Sequence, residues 1–211
     1  MKPIIICDLD GTLIDSRKDL TLAVNLTRKG YNLDELSLQT VCDYIGNGAE
    51  KLIERAFRNT SVKTAEALKI YKAFYKENCT SLTTVYPTVK EGLKIILDKG
   101  YNLAIVTNKP HEFCDQILEF AGISDYFSIV MGDADPKYLK PDPQVVYKVI
   151  EETSSIKKGS WIIGDNYTDL ECGRNAGILR CFAKYGFGYS QGEKWDIRVN
   201  SFAEFANALL A

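Results

Sequence analysis

The chain has 211 residues, of which 45% are hydrophobic and 26% charged, and its formal net charge is −2. That length and apolar fraction fit one large domain or two small ones around a real core, and a balanced charge with no basic run argues against nucleic acid as a partner. The N-terminal apolar run is too short for a signal peptide and nothing approaches the roughly 20 apolar residues of a membrane span, so no membrane association is expected. Six scattered cysteines (Cys7, Cys42, Cys79, Cys114, Cys172, Cys181), with no C-x-x-C pair, read as reduced thiols of a cytoplasmic protein. His111 is the only histidine, so neither a zinc site nor a cysteine nucleophile has support.

Ile4 to Cys7 is a short apolar run that reads as a buried strand, and it stops at Asp8-Leu9-Asp10-Gly11. If the strand holds that far, alternation puts both carboxylates on one side, and a positive group should sit between them. The same residues also fit an Asp-Gly turn that needs no metal. From about Ser16 to Val85 the chain lacks strong strand runs. Apolar residues recur at helical spacing in Asp19 to Lys29, Ala49 to Phe57 and Ala65 to Tyr75, which predicts a small helical bundle. Tyr71, Phe74 and Tyr75 fit its core. The turn Gly46-Asn47-Gly48 stands just before a helix start.

From Tyr86 the texture changes to alternating helices and strands. Thr88-Val89-Lys90-Glu91 has the form of a capping box, opening a helix that ends at Gly100. Leu103 to Val106 predicts a strand, His111 to Phe120 a helix and Phe127 to Met131 a third strand. Asp142-Pro143 opens another helix. Trp161 to Ile163, ending in Gly164-Asp165, predicts a fourth strand, Asp169 to Asn175 a short helix and Leu179 to Ala183 a fifth strand; Ser201 caps a terminal helix. Such alternation implies an α/β fold, a doubly wound parallel sheet with helices on both faces. The sheet domain comprises residues 1–15 and 86–211, and residues 16–85 are a helical unit inserted after the first strand.

In doubly wound sheets ligands bind at the carboxyl ends of the strands. Here those ends carry Asp8 and Asp10, Thr107 and Asn108, and Asp165, while Lys140 precedes a helix start. Each has a plain structural reading: a helix cap for Thr107-Asn108, a solvated charge for Lys140, a turn for Gly164-Asp165. Their joint occurrence points instead to phosphoryl transfer. A phosphomonoester is dianionic, so an anionic nucleophile needs a cation to approach it. Asp8 and Asp165 supply the hard oxygen ligands that magnesium prefers. Lys140 adds a point charge, and Thr107 and Asn108 can hydrogen-bond the substrate's oxygens. Asp8 is then free to attack phosphorus, and Asp10 to protonate the leaving alcohol and later activate water.

With these residues assembled, the sequence resembles the haloacid-dehalogenase-like hydrolases over nearly its whole length. Asp8-Leu9-Asp10-Gly11-Thr12-Leu13 looks like the first family motif, Thr107 the second, Lys140 the third and Gly164-Asp165-Asn166-Tyr167-Thr168-Asp169 the fourth. The resemblance implies a Rossmann-like core with an α-helical cap, Asp8 as nucleophile and Asp10 as acid/base. It further implies magnesium held by Asp8, the Asp10 carbonyl and Asp165. Asp169 either ligates through water or orients Lys140.

Residue choices discriminate among branches of that family. Dehalogenases lack an acid at the position of Asp10, and phosphonate-cleaving members have a non-acidic residue there. Phosphohexose mutases share Asp10, but their caps carry a histidine-bearing segment that is missing here. Tyr44-Ile45-Gly46-Asn47-Gly48-Ala49-Glu50 is similar to the cap segment of phosphoglycolate phosphatases, which implies that Gly46, Asn47 and Gly48 face a small anionic substrate. The expectation is hydrolysis of a small phosphorylated metabolite, with phosphoglycolate the leading candidate. A phosphosugar mutase and a non-catalytic phosphometabolite-binding protein are the alternatives.

Overall fold

The computed structural model describes residues 1–209. It opens with β1 (Pro3–Cys7) and the short β2 (Ile14–Asp15), followed by four helices: α1 (Arg17–Gly30), α2 (Leu38–Cys42), α3 (Gly48–Ala56) and α4 (Thr64–Asn78). β3 (Thr84–Val85) pairs antiparallel with β2, so the helical segment leaves and rejoins the sheet through one narrow two-stranded neck. The rest alternates: α5 (Val89–Asp98), β4 (Asn102–Val106), α6 (Cys114–Ala121), β5 (Ile129–Met131), α7 (Gln144–Glu152), β6 (Ile156–Gly164), α8 (Tyr167–Ala176), β7 (Leu179–Ala183), β8 (Ile197–Val199) and α9 (Phe202–Ala208).

The large sheet has the order β5-β4-β1-β6-β7-β8, and every pair in it is parallel. β1 is buried on both faces, which is why its sequence is a continuous apolar run. Ile5 and Cys7 join the cluster built on Leu93 of α5 and Phe202 and Phe205 of α9. Ile4 and Ile6 pack with Val145 and Val149 of α7 and Cys172 of α8. The chain builds outward from β1 through β4 and β5, then returns to build β6 to β8 on the other side. The crevice beside β1 is therefore the switch point, and Asp8, Thr107 and Asp165 follow the three strands that meet there.

Leu52, Ile53, Tyr71 and Tyr75 of the helical segment share one apolar cluster with Ile5 and Ile105 of the sheet. The Tyr75 ring packs edge-on against Phe113, with centroids 5.1 Å apart. Tyr71 and Tyr75 are buried, as expected of core aromatics. All six cysteines are buried and unpaired. No described helix is long and apolar enough to cross a membrane.

Two local expectations are corrected and a third holds. Thr88 caps no helix through its side chain, because its Oγ1 accepts the Ala203 N–H of α9 and its backbone is left-handed. The capping box lies at α8 instead, where Asn166 Oδ1 accepts from Thr168 N and Asp169 Oδ2 accepts from Asn166 N. β6 begins five residues before Trp161, since its first half carries exposed Lys157 and Lys158 and so gives no apolar signal. Ser201 does cap α9, accepting from Glu204 N.

Candidate active site

β1 ends at Cys7, yet Asp8 N still donates to Ile163 O at 2.9 Å, so the β1–β6 pairing carries Asp8 to the edge of the crevice. Asp8 Oδ1 accepts from Lys140 Nζ at 2.6 Å, which leaves Oδ2 with no hydrogen-bond partner among the described residues. Lys140 Nζ also donates to Val106 O at 2.6 Å and lies 2.7 Å from Asp169 Oδ1. Asp165 Oδ2 accepts from the backbone N–H groups of Phe187 and Gly188, at 2.9 and 2.7 Å. Ligand oxygens of Asp8, Asp165 and Asp169 come within 4.8 Å of one another, and all three residues are buried.

The chemistry of that donor set fits a hard divalent cation. Asp8 and Asp169 pair with the Lys140 ammonium and Asp165 lies beside them, so three ionised carboxylates against one ammonium leave the cluster short of two positive charges. Burial, only partly offset by Lys140 and aided by Asp169, pushes the Asp8 carboxyl up to about 7. Burial, with Asp8 and Asp169 nearby, holds Asp165 well above the ordinary carboxylate range. Burial opposes the charge of Lys140, but Asp169 and Asp8 overcome it and hold the ammonium above the usual lysine range. Electroneutrality therefore favours either protons or a metal ion at this cluster, and the oxygen-only ligands select magnesium-like ions.

Gly11 makes the cluster possible. Its φ is +91°, and a Cβ there would stand 2.0 Å from Asp165 Oδ2. The residue that the sequence presents as a turn glycine is also the gap into which the fourth-motif carboxylate fits.

Asp8, Asp10, Thr107, Asn108, Lys140, Asp165 and Asp169 all line one cleft, together with Gly46 and Gly48 of the helical segment. The opposite wall is apolar and aromatic: Leu20, Ile45, Ala49, Leu52, Tyr71 and Tyr75. Thr107 is buried, and its Oγ1 accepts from Lys109 N at 3.2 Å. Asn108 is fully engaged. Its Oδ1 accepts from Lys140 N, and its Nδ2 donates to Lys140 O and to Gly46 O, so it ties the Lys140 loop to the helical segment. The Asn47 side chain turns away from the cleft, donating to the Tyr167 hydroxyl at 2.8 Å and accepting from Arg55 at 2.7 Å.

Asp8 and Asp10 do not share one cation. Asp10 takes a separate lysine: Lys109 Nζ lies 2.9 Å from both of its carboxylate oxygens, and Ser16 Oγ donates to Oδ1 at 2.5 Å. Lys109 is buried and is given no role by the sequence reading. Burial opposes its charge, but Asp10 outweighs that and holds it above the usual lysine range. Asp19 was also missed. Wholly buried in α1, it accepts from Leu82 N and Thr83 N and so fixes the chain where it enters β3.

Residues 5–183 match the family model described as haloacid dehalogenase-like hydrolase. The chain is 34% identical over 184 residues to the phosphoglycolate phosphatase of Aquifex aeolicus, covering 87% of this chain and 85% of that one. It is 35% identical over 201 residues to the phosphoglycolate phosphatase of Vibrio parahaemolyticus, covering 90% and 86%. Its fold superposes with a TM-score of 0.92 on a protein described as a predicted phosphoglycolate phosphatase of Haemophilus somnus, at 31% identity and with 98% and 97% of the two chains covered. With three strand ends and the Lys140 loop meeting in one cleft, and these similarities along nearly its full length, the chain belongs to the haloacid dehalogenase-like hydrolases.

Proposed function

We propose that the chain is a magnesium-dependent phosphatase that hydrolyses a small phosphomonoester, with phosphoglycolate the leading substrate. The observation that carries this reading is the state of Asp8. One of its oxygens is held by Lys140 and the other is free, at the floor of a cleft where two further buried carboxylates converge. The similarity to curated phosphoglycolate phosphatases supports the choice of substrate. Asp8 and Asp165 would hold magnesium, which when bound screens the repulsion between the substrate's phosphate and these carboxylates.

Asp8 Oδ2 attacks phosphorus in line with the leaving oxygen, forming an aspartyl phosphate as the ester P–O bond breaks. Lys140 and the Thr107 hydroxyl stabilise the charge on the equatorial oxygens. Asp10 gives its proton to the departing alcohol, then takes one from the water that hydrolyses the aspartyl phosphate. Asp169, with one oxygen on Lys140 and the other capping α8, orients that lysine. The helical segment of residues 16–85 acts as a cap. It supplies the apolar wall and meets the core through small polar contacts such as Asn108 with Gly46 and Asn47 with Tyr167, which can part and re-form.

Phosphate release from phosphoglycolate and a panel of phosphorylated metabolites, with and without magnesium, is the direct test. The expected result is turnover that chelation abolishes, magnesium restores and Asp8→Asn eliminates while the circular dichroism spectrum is retained. Activity surviving in Asp8→Asn would falsify the nucleophile assignment.

A further inference from the structure

Asp10 is held by a chain of contacts that begins in the helical segment. The Lys109 ammonium has three N–H bonds, and three acceptors surround it: Asp10 Oδ1 at 2.9 Å, Asp10 Oδ2 at 2.9 Å and the Tyr75 hydroxyl at 2.6 Å. Tyr75 therefore holds this nitrogen through its hydroxyl oxygen, the one acceptor of the three that comes from outside Asp10. The Lys109 side chain is 2% exposed and that of Asp10 12%, which keeps water from replacing either partner freely. Tyr75 belongs to α4 of the helical segment, whereas Asp10 and Lys109 follow β1 and β4 of the sheet.

An aspartate in a loop turns readily about two side-chain torsions, and a proton donor works only within hydrogen-bond reach of the leaving oxygen. Binding both carboxylate oxygens to one ammonium removes that freedom. The ammonium is itself at the end of a long flexible side chain, and Tyr75 is what restrains it.

We propose that Lys109 and Tyr75 are positioning residues for the proton transfer: Tyr75 holds Lys109, and Lys109 holds the Asp10 carboxyl toward the leaving-group oxygen. The inference rests on the phosphatase reading above. The proton passes from Asp10 to the leaving oxygen as the ester P–O bond breaks and the Asp8–P bond forms, and the resulting Asp10 carboxylate is the anion that Lys109 receives. Because Tyr75 rides on the helical segment, the donor is fully oriented only while that segment covers the cleft. Seating of the segment and readiness of the acid are thus one event.

Two esters of like charge and similar shape, phenyl phosphate and 4-nitrophenyl phosphate, separate this from a general structural role. Phenol is a poor leaving group that needs the proton, and 4-nitrophenol leaves readily as its anion. In each variant kcat/KM, which reports on steps up to release of the phenol, is compared with wild type. Lys109→Met is expected to lower kcat/KM about 10²-fold for phenyl phosphate and about 10-fold less than that for 4-nitrophenyl phosphate. Tyr75→Phe, which keeps the ring against Phe113, is expected to act in the same direction by roughly 3- to 10-fold on phenyl phosphate, and it decides the matter should Lys109→Met fail to fold. Equal losses on the two esters, or no loss, overturn the proposal. A widened ratio in Lys109→Met without one in Tyr75→Phe overturns the coupling to the helical segment. Wild-type protein that releases phosphate neither from these esters nor from phosphoglycolate and the metabolite panel, with magnesium present, defeats the phosphatase reading instead.

Discussion

Lys140 Nζ lies 2.6 Å from Asp8 Oδ1, an ion pair between residues 132 apart in the chain. The side chains are 2% and 10% exposed, so the pair sits out of reach of solvent screening. Lys140 also reaches Asp169 and the Val106 carbonyl, so this one ammonium ties the nucleophile candidate to the first turn of α8 and the end of β4.

Replacing Lys140 by Met leaves three buried carboxylates with no ammonium. The expected outcome is a loss of roughly 10²–10³-fold in kcat, the size seen when one transition-state donor is removed. Magnesium should raise the variant's melting temperature without restoring turnover. Steady-state kinetics alongside a thermal melt check both halves, and full activity in the variant would remove Lys140 from the mechanism.

The carboxylate cluster makes stability without metal depend on pH. Asp8 in the folded chain lies at about 7 against an ordinary 3.8, and Asp165 is raised too. For a raised group, the stabilisation is complete below the ordinary value and is lost as pH rises through the folded value. Metal-free protein should therefore lose stability between pH 5.5 and 8 at this cluster. Magnesium meets no competing proton at pH 8, so its stabilising effect should be larger there. At a hundredfold excess over its Kd, a rise of roughly 5–10 °C is expected at pH 8 and clearly less at pH 5.5. Thermal melts at the two pH values with magnesium or with chelator decide this, and equal shifts would contradict it.

Gly46 has φ +119°, and a Cβ on it would stand 2.6 Å from Asn166 Nδ2 in the core. Gly46→Ala should strain the turn by about 1–3 kcal/mol and hold the helical segment off the sheet domain. Lower kcat/KM, with faster proteolysis at the neck between β2 and β3, is the expected result. Wild-type kinetics with unchanged proteolysis would show that the close approach does not matter.

Asp19 accepts three backbone hydrogen-bond contacts with no exposure. Asp19→Asn points an amide N–H₂ at an N–H donor, at a cost of about 1–3 kcal/mol. A fall in the melting temperature of several degrees should follow, with the magnesium-dependent shift preserved. A variant as stable as wild type would mean that the turn before β3 can rearrange at no cost.

How much of this was legible in sequence differs between fold and site. β1 and β4 announce themselves because buried parallel strands are apolar nearly throughout, and the change of periodicity at Tyr86 marks where helical insertion gives way to alternation. β6 was half hidden by exposed Lys157 and Lys158, and β8, three residues at a sheet edge, leaves too little pattern to read. Asp8, Asp10, Thr107, Lys140 and Asp165 were legible as chemistry because each stands at a strand end or a helix start. Lys109 and Asp19 have no such marker, since a lysine in a loop and an aspartate in a first helical turn are ordinary on a surface.

The sequence by itself determined the class of fold, the strand ends that bear function and the residue types suited to phosphoryl transfer. These follow from local patterns in which a few neighbouring residues suffice. Only the tertiary structure decided which lysine serves which aspartate. Asp8 and Asp10 are two residues apart, yet one pairs with Lys140 and the other with Lys109, across separations of 132 and 99 residues. Such pairings depend on where loops from different strands meet, and on the burial that makes an unpaired charge there too costly to keep.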